Sequence, residues 1–331
     1  MAEIKKDSVS IIIVTWNSAK FIADCLESIL EQSYRNFEII VVDNNSEDET
    51  VRLVQKFRKK FKRLKIIKNE ENAGFAAGNN IGLRSAVGEY VLFLNPDTRM
   101  DKDFIKRAIS GFDYETVGAV SGLILRFDGK TIDSAGQSPG KNRRPIERGY
   151  GKQIEEKYLK KGYCFSVCGA AALYKMAVIE KIKIEGEFFD EEFFAFYEDL
   201  DVGWRMNLFG YRCRYMPDAV VYHHRGGSRS GGGFAARHFQ IAGRAPQIQA
   251  NIIRNRWYTI LKNDSLLNYL LHLPWIAVQE MKTAVYLVIF RRDIIINVYK
   301  QFFIKLPSMW KKRKINMKNK KTNSALIRKR M

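Results

Sequence analysis

The apolar positions of this chain fall in short runs that stop on polar clusters, and between the runs the spacing becomes helical. Residues 9–15, VSIIIVT, read as a buried strand ending at Trp16-Asn17-Ser18, after which Phe21, Ile22, Cys25, Leu26, Ile29 and Leu30 share one helical face. A second run, Phe37 to Val42, stops at Asp43-Asn44-Asn45-Ser46. There Ser46 and Glu49 have capping-box spacing for a helix continuing to about Lys60. Leu64 to Lys68 is a third strand, and NAGFAAGNNIGLRSA is a tight loop at Gly74 and Gly78 that opens a helix. EYVLFL is a fourth strand, cut off by Asn95-Pro96-Asp97-Thr98. Strands and helices alternating at this spacing predict parallel βαβ units with right-handed crossovers.

Beyond Asp97 the pattern is mixed. It predicts a helix over 101–112, a strand over 117–125, a variable Gly- and Arg-rich loop over 126–162 and a strand over 165–175 holding Gly169-Ala170-Ala171-Ala172. A helix over 198–209, a last strand from Ala219 to Tyr222, His223-His224 and a flexible basic loop over 225–233 follow. From about residue 235 the chain reads as helical. Residues 266–290 are mostly apolar, but His272, Pro274, Gln279, Glu280 and Lys282 interrupt them. That favours an amphipathic segment lying on a membrane over one that crosses it, with Trp275, Tyr286 and Phe290 as interfacial aromatics. The division expected is a catalytic domain over 1–232, a membrane-associating helical region over 233–300 and a disordered basic tail over 301–331.

Composition sharpens the two ends. The formal charge is +20, yet residues 300–331 carry twelve Lys and Arg and no Asp or Glu, so the rest is much closer to neutral. Such a tail suits nucleic acid, anionic lipid or a solvated end. Nucleic-acid binding would spread basic residues over a folded face or interleave them with stacking aromatics, so no nucleic-acid partner is expected. Cys25, Cys164, Cys168 and Cys213 lack zinc-ribbon spacing and read as reduced thiols. The N-terminus enters a strand with no signal-peptide core, so the chain is expected to stay in the cytosol.

Three carboxylate groups stand at element ends, in the order Asp43, Asp97 and Glu198-Asp199-Asp201. Ligands of open α/β sheets sit outside the carboxyl ends of strands, and a hard oxygen ligand there suits a divalent cation on a diphosphate. A dehydrogenase is excluded, because no GxGxxG follows the first strand.

Taken jointly, VSIIIVTWN, VVDNNSEDET, NAGFAAGNN, LNPDT and FYEDLDVGWR followed by VVYHH resemble the family-2 inverting glycosyltransferases with the GT-A fold, over residues 8–232. Within that family they look most like the bacterial rhamnosyltransferase-like branch, which uses dTDP-rhamnose or related nucleotide sugars. The resemblance implies a Rossmann-like, mainly parallel α/β sheet with a C-terminal helical extension. It implies a dTDP- or UDP-sugar donor, a lipid-linked glycan acceptor, and work at an anionic membrane surface on the cytosolic face. Thr15, Asn17, Asp43, Asn72, Gly74, Phe75, Asn79 and Asn95 would border the nucleotide, with Asp43 accepting from the base and the glycines admitting backbone to the ligand. Asp97 would bind Mg²⁺ or Mn²⁺ with one carboxylate in place of two, joined by His223 or His224, of which His223 fits the pattern better. Asp199, with Glu198 as runner-up, would be the general base, desolvated by the aromatics at 193–197. Arg205 either pairs with Asp201 on its helix or joins Gly169, Ala170, Arg225, Ser228 and Arg229 at the acceptor and diphosphate. Arg254, Arg256 and Lys262 are further candidates for a diphosphate or lipid headgroups.

Overall fold

A computed structural model describes residues 4–224 and 241–331, so Arg225, Ser228 and Arg229 lie outside the described residues. The predicted opening strands form β1 (Lys5–Thr15), β2 (Phe37–Asp43), β3 (Leu64–Lys68) and β4 (Gly88–Leu94), all parallel, in the order β3-β2-β1-β4. Helices α1 (Ile22–Leu30), α2 (Thr50–Phe57) and α3 (Gly74–Leu83) cross over between them. Val9, Ile11 and Ile13 pack with Ile22, Leu26 and Ile29 of α1. Ile12 points the other way, into the cluster that holds Ala76 and Leu83 of α3. Both faces of β1 are therefore covered, which is why its sequence is an unbroken apolar run. Burying each of these aliphatic chains contributes roughly 1.5–3 kcal/mol. Helix α3 lies hard against β1: a Cβ on Gly82 would stand 2.5 Å from Ile12 Cγ2, and one on Gly78 2.8 Å from Val14 Cγ1.

One local expectation is corrected here. Ser46 does not cap α2, because its hydroxyl is committed to Asp43 Oδ1 at 2.6 Å. Asp48 takes the capping role instead, accepting from Thr50 N at 3.0 Å, and the helix ends at Phe57.

Past β4 come β5 (Thr98–Met100), α4 (Phe104–Ile109) and β6 (Val117–Arg126). The stretch 126–162 is no featureless loop. It contains β7 (Ile132–Ser134), paired with β6, and a hairpin of β8 (Gln137–Pro139) with β9 (Pro145–Glu147). Then follow β10 (Gly162–Cys164), β11 (Ala171–Lys175), α5 (Met176–Ile182), α6 (Glu198–Leu208) and β12 (Arg212–His223). Strand β11 runs antiparallel between β4 and β6, and β12 lies parallel to β6, giving a mixed, mainly parallel sheet. Strand β12 is longer than its apolar end suggested, because a register shift between Met216 and Val220, around Pro217, breaks its pattern.

Five helices close the chain: α7 (Pro246–Asn263), α8 (Leu266–Leu271), α9 (Leu273–Phe290), α10 (Arg292–Lys318) and α11 (Ser324–Arg330). The tail expected to be disordered is thus helical, because its cations find buried partners. Lys312 bonds Asp190 Oδ1 at 2.6 Å and Glu192 Oε2 at 3.0 Å. The amides of Lys321 and Thr322 donate to Leu208 O at 2.7 and 3.1 Å, satisfying the C-terminal end of α6, and Arg330 donates to Asn207 Oδ1 at 3.0 Å.

The cations of α7 likewise turn inward rather than toward a headgroup. Lys262 meets Asp190 at 2.5 Å and Asp201 at 2.9 Å, Arg256 binds Asn142 O and Glu280, and Arg254 donates to Asn251. Among the described helices α9 alone is long and apolar enough to cross a membrane. It is tied down at its middle, however: Glu280 accepts from Arg256 at 2.5 Å and from Trp257 Nε1 at 2.9 Å, and Asn142 donates to Gln279 at 3.3 Å.

Candidate active site

The sheet's carboxyl edge opens into a cavity of about 700 Å³, walled by β-strand ends, the β8–β9 hairpin and the start of α6. At one station stand Asn95, Asp97 and His223. Strand β12 pairs with β5 in a register that sets His223 opposite Thr98, and this carries the imidazole to Asp97: Nε2 lies 3.3 Å from Asp97 Oδ1. Its other nitrogen, Nδ1, is 2.9 Å from Oδ2 of the fully buried Asp133 on β7. Burial by itself would depress this imidazole. The hydrogen bonds and charges of Asp133 and Asp97 outweigh it and raise the group to about 9. His224 faces away and stacks on Phe127 with ring centroids 3.3 Å apart, as strand alternation requires.

The second station is the start of α6. Asp199 Oδ2 accepts from Gly169 N at 3.1 Å and Gln137 Nε2 at 3.0 Å, and Oδ1 accepts from Leu200 N at 2.7 Å. Burial raises this carboxyl while those three hydrogen bonds oppose it. Glu198 has fewer such donors, and Oε2 is buried without a hydrogen-bond partner. Burial and the neighbouring Asp199 charge push it well above the ordinary carboxylate range. Both carboxyls are thus raised by burial, Glu198 further than Asp199, which has three hydrogen-bond donors on it. Glu147 approaches the same place from the hairpin, and Gln137 Nε2 bridges it to Asp199, with Glu147 Oε1 at 2.8 Å.

The turn leading into α6 is strained. Phe194 has φ 61° and ψ −63°, closing a γ-turn in which Ala195 N donates to Phe193 O at 2.7 Å, and Phe196 and Tyr197 follow at φ 73° and 75°. Each such residue costs on the order of 1–3 kcal/mol and persists only where its surroundings hold it. NAGFAAGNN is one of the holders. Ala76 N donates to Phe194 O at 3.1 Å, and Asn80 exchanges hydrogen bonds with Phe189 backbone at 2.7 and 3.0 Å. A Cβ on Gly74 would stand 2.6 Å from Phe194 O, so this glycine admits the turn.

The expected nucleotide residues divide accordingly. Phe75 and Asn95 line the cavity. Thr15, Asn17, Asp43, Asn72, Gly74 and Asn79 instead build the loops behind it. Asp43 accepts from Thr15 Oγ1 at 2.8 Å and from Ser46 N and Oγ at 3.0 and 2.6 Å. Asn17 Oδ1 accepts from Glu47 N at 2.9 Å, Asn72 Oδ1 from Gly74 N at 2.9 Å, and Asn79 donates to Phe75 O at 2.9 Å.

Gly169 and Ala170 line the cavity as expected, but Arg205 does not reach it. Its guanidinium is buried, paired with Asp201 at 3.2 Å and donating to the carbonyls of Ile182 and Phe188, so its role is structural. The arginines on the wall are Arg144 and Arg244, the latter 4.9 Å over the Phe196 ring. Sequence reasoning missed these two along with Asp133, Gln137 and Glu147. For all but Arg244, which lies where the chain reads as helical, the only signal was a few polar residues inside a stretch that reads as loop.

Residues 10–183 match the profile described as Glycosyl transferase family 2. The chain belongs to that family. Among its relatives, the putative glycosyltransferase EpsH of Bacillus subtilis (strain 168) is 28% identical over 228 residues, which cover 66% of this chain and 60% of EpsH. TarS of Staphylococcus aureus (strain Mu50), a poly(ribitol-phosphate) beta-N-acetylglucosaminyltransferase, is 37% identical over 107 residues, 31% of this chain and 18% of TarS. The alignments thus span less than two thirds of either relative. Solved structures agree on a GT-A glycosyltransferase fold. S. aureus TarS 1-349 in complex with UDP-GlcNAc superposes with TM-score 0.54 at 20% identity, covering 91% of this chain and 80% of that one. The mannosyltransferase PcManGT from Pyrobaculum calidifontis, in complex with GDP-Man and Mn2+, gives TM-score 0.51 at 21% identity, covering 96% and 86%.

Proposed function

We propose that this family 2 protein is an inverting, metal-dependent glycosyltransferase of cell-surface polysaccharide synthesis. It moves a sugar from a nucleoside diphosphate donor to a hydroxyl of a lipid-linked glycan acceptor at the cytosolic membrane face. The observation that carries this reading is one cavity with two stations: the Asp97–His223 pair, 3.3 Å apart, and the Glu198–Asp199 pair at the start of α6.

The first station fits a divalent cation. It offers one carboxylate oxygen and, once the cation displaces the proton from Nε2, one imidazole nitrogen, and the far side of the ring is fixed by Asp133, the arrangement that orients histidine ligands. A mixed oxygen and nitrogen set suits Mn²⁺ better than Mg²⁺. Bound there by Asp97 and His223, the cation would offset negative charge developing on the departing diphosphate. Thr15, Asn17, Asp43, Asn72, Gly74, Phe75, Asn79 and Asn95 form the nucleotide side, six of them by shaping its loops.

At the second station Asp199 is the general base. It takes the proton from the acceptor hydroxyl as that oxygen bonds to the anomeric carbon, while the bond from that carbon to the diphosphate oxygen breaks and the nucleoside diphosphate leaves. Glu198, kept neutral, donates a hydrogen bond to a sugar oxygen. Gly169 and Ala170 leave room for the acceptor. Arg144 and Arg244 take over from Arg205 as candidates for an acceptor phosphate, with Arg225, Ser228 and Arg229 as further candidates.

The membrane part rests on the outer face of α8 to α10. There Leu266, Leu267, Leu270, Trp275, Met281, Ile289, Ile296 and Phe303 are exposed beside Lys282, Arg291 and Arg292. For the sugar, the motifs favour dTDP-rhamnose, and the UDP-GlcNAc complex of TarS makes an N-acetylglucosaminyl donor the second reading. A thermal-shift screen of nucleotide sugars with and without Mn²⁺ tests both. A dTDP- or UDP-sugar that stabilises the protein only with the metal supports the proposal, and no response to any donor contradicts it.

A further inference from the structure

Three backbone carbonyls in the turn before α6, those of Phe193, Ala195 and Phe196, converge on a single side-chain nitrogen, Nδ2 of Asn255 on α7, at 2.8, 3.0 and 2.8 Å. Asn255 is fully buried, and its own Oδ1 has no hydrogen-bond partner. The amide is therefore oriented by what its nitrogen gives to the turn. The fourth carbonyl of the series, Phe194 O, goes to Ala76 N at the start of α3. The turn is thus gripped from the sheet side by α3 and from the helical side by Asn255, and it includes the positive-φ residues Phe194, Phe196 and Tyr197. Glu198 and Asp199 come immediately after it and line the cavity.

We infer that Asn255 is a positioning residue: it holds the strained 193–197 turn in the conformation that sets Glu198 and Asp199 toward the acceptor. Released from the amide, Phe196 and Tyr197 can fall back to negative φ. The first turn of α6 then swings, and the two carboxyls leave their aligned places. Asn255 lies outside the 10–183 family match, so the clamp belongs to the C-terminal helices. Those helices hold the other end of α6 as well, through Lys321 and Thr322 on Leu208 O. The catalytic consequence rests on the proposed glycosyl transfer; the clamp itself does not.

The test uses full-length protein with Asn255→Ala, Asn255→Asp and a control, Asn316→Ala. Asn316 is equally buried in α10, donating to Asn263 Oδ1 at 2.8 Å, and has no bond to the turn. Two readouts are taken: hydrogen exchange of amides 194–199, and kcat with donor KM across pH. The expected result is faster exchange at 194–199 in both Asn255 variants and not in the control. In addition, kcat per folded molecule falls about 100-fold, donor KM stays within about twofold, and the acid limb of kcat moves toward ordinary carboxylate values. Exchange unchanged at 194–199 overturns the clamp, whether or not any donor turns over. Faster exchange with unchanged kcat, or an equal loss of kcat in the control, overturns the positioning role. A wild-type chain that turns over no nucleotide sugar would instead refute the proposed function and leave exchange to decide the clamp.

Discussion

The sheet and the C-terminal helices bury opposite kinds of residue. In the sheet, Val9, Ile11, Ile12 and Ile13 are sealed from solvent, and the buried carboxylates stand near strand ends, Asp43 closing β2 and Asp133 on β7 against His223. In the helices Lys262, Lys312, Asn255, Asn263 and Asn316 are buried, while Leu266 is 68% and Ile296 77% exposed. The sheet needs only apolar surface to fold. The helices instead supply polar groups that fasten the turn and helix carrying Glu198 and Asp199, and their outer surface is left apolar. On its inner side, therefore, the extension is part of the body that builds the candidate site, whatever its outer side meets.

The comparison breaks most visibly at the buried charges. Lys262→Met takes from Asp190 and Asp201 the cation they share and leaves them Lys312 and Arg205, a loss of at most the roughly 3–5 kcal/mol of a buried charge left unpaired. Thermal unfolding should show that loss, whereas Lys300→Met on the surface should fall within about 0.5 kcal/mol. A loss no larger than that at Lys262 would mean the inner polar face contributes little.

Next in size is the pH response of the same network. Burial would raise Asp190, but Lys262 and Lys312 hold it far below the usual carboxylate range. Burial would lower Lys312, and Asp190 and Glu192 hold it above the usual lysine range. A depressed carboxyl contributes stability above its unfolded value of about 3.9, lost as pH falls through the folded one. A raised lysine contributes below about 10.4, lost as pH rises through its folded value. The contribution of this network should therefore be fully present between about pH 4 and 10, and Asp190→Asn should flatten the acid side of stability in urea titrations. An unchanged acid limb would count against the network.

On the sheet side, Gly82→Ala should cost about 1–3 kcal/mol, because the added methyl meets Ile12 at 2.5 Å. The smallest effect on stability should come from the outer face. Leu267→Ser with Trp275→Ser and Met281→Ser should move unfolding by no more than about 0.5 kcal/mol per site, yet abolish sedimentation with anionic vesicles. Equal sedimentation of wild type and variant would remove the membrane from the account.

The same contrast explains what the sequence disclosed. Strands β1 to β4 were legible because central parallel strands are continuous apolar runs; Asp97 and His223 at strand ends, and Glu198 and Asp199 at the start of α6, are the proposed site residues that the structure brings to one cavity. The two readings left open for Arg205 were resolved by packing: Asp201 and two carbonyls fill its guanidinium. Asp133, Gln137 and Glu147 were hidden because their partners lie 62 to 90 residues away on other elements, or across a two-strand hairpin in a stretch without periodicity. The helical tail was misread as disordered because its lysines look solvated until Asp190 and Glu192 are seen beneath them.

The central claim is that Asp199 is the base of a sugar-nucleotide transferase. The most direct measurement is nucleoside diphosphate release from the donor found by the thermal-shift screen, comparing wild type with Asp199→Asn in the presence of Mn²⁺ and acceptor. The account predicts a fall of about 10²–10⁴-fold, with donor affinity and unfolding temperature kept. Equal release by the two proteins would contradict it.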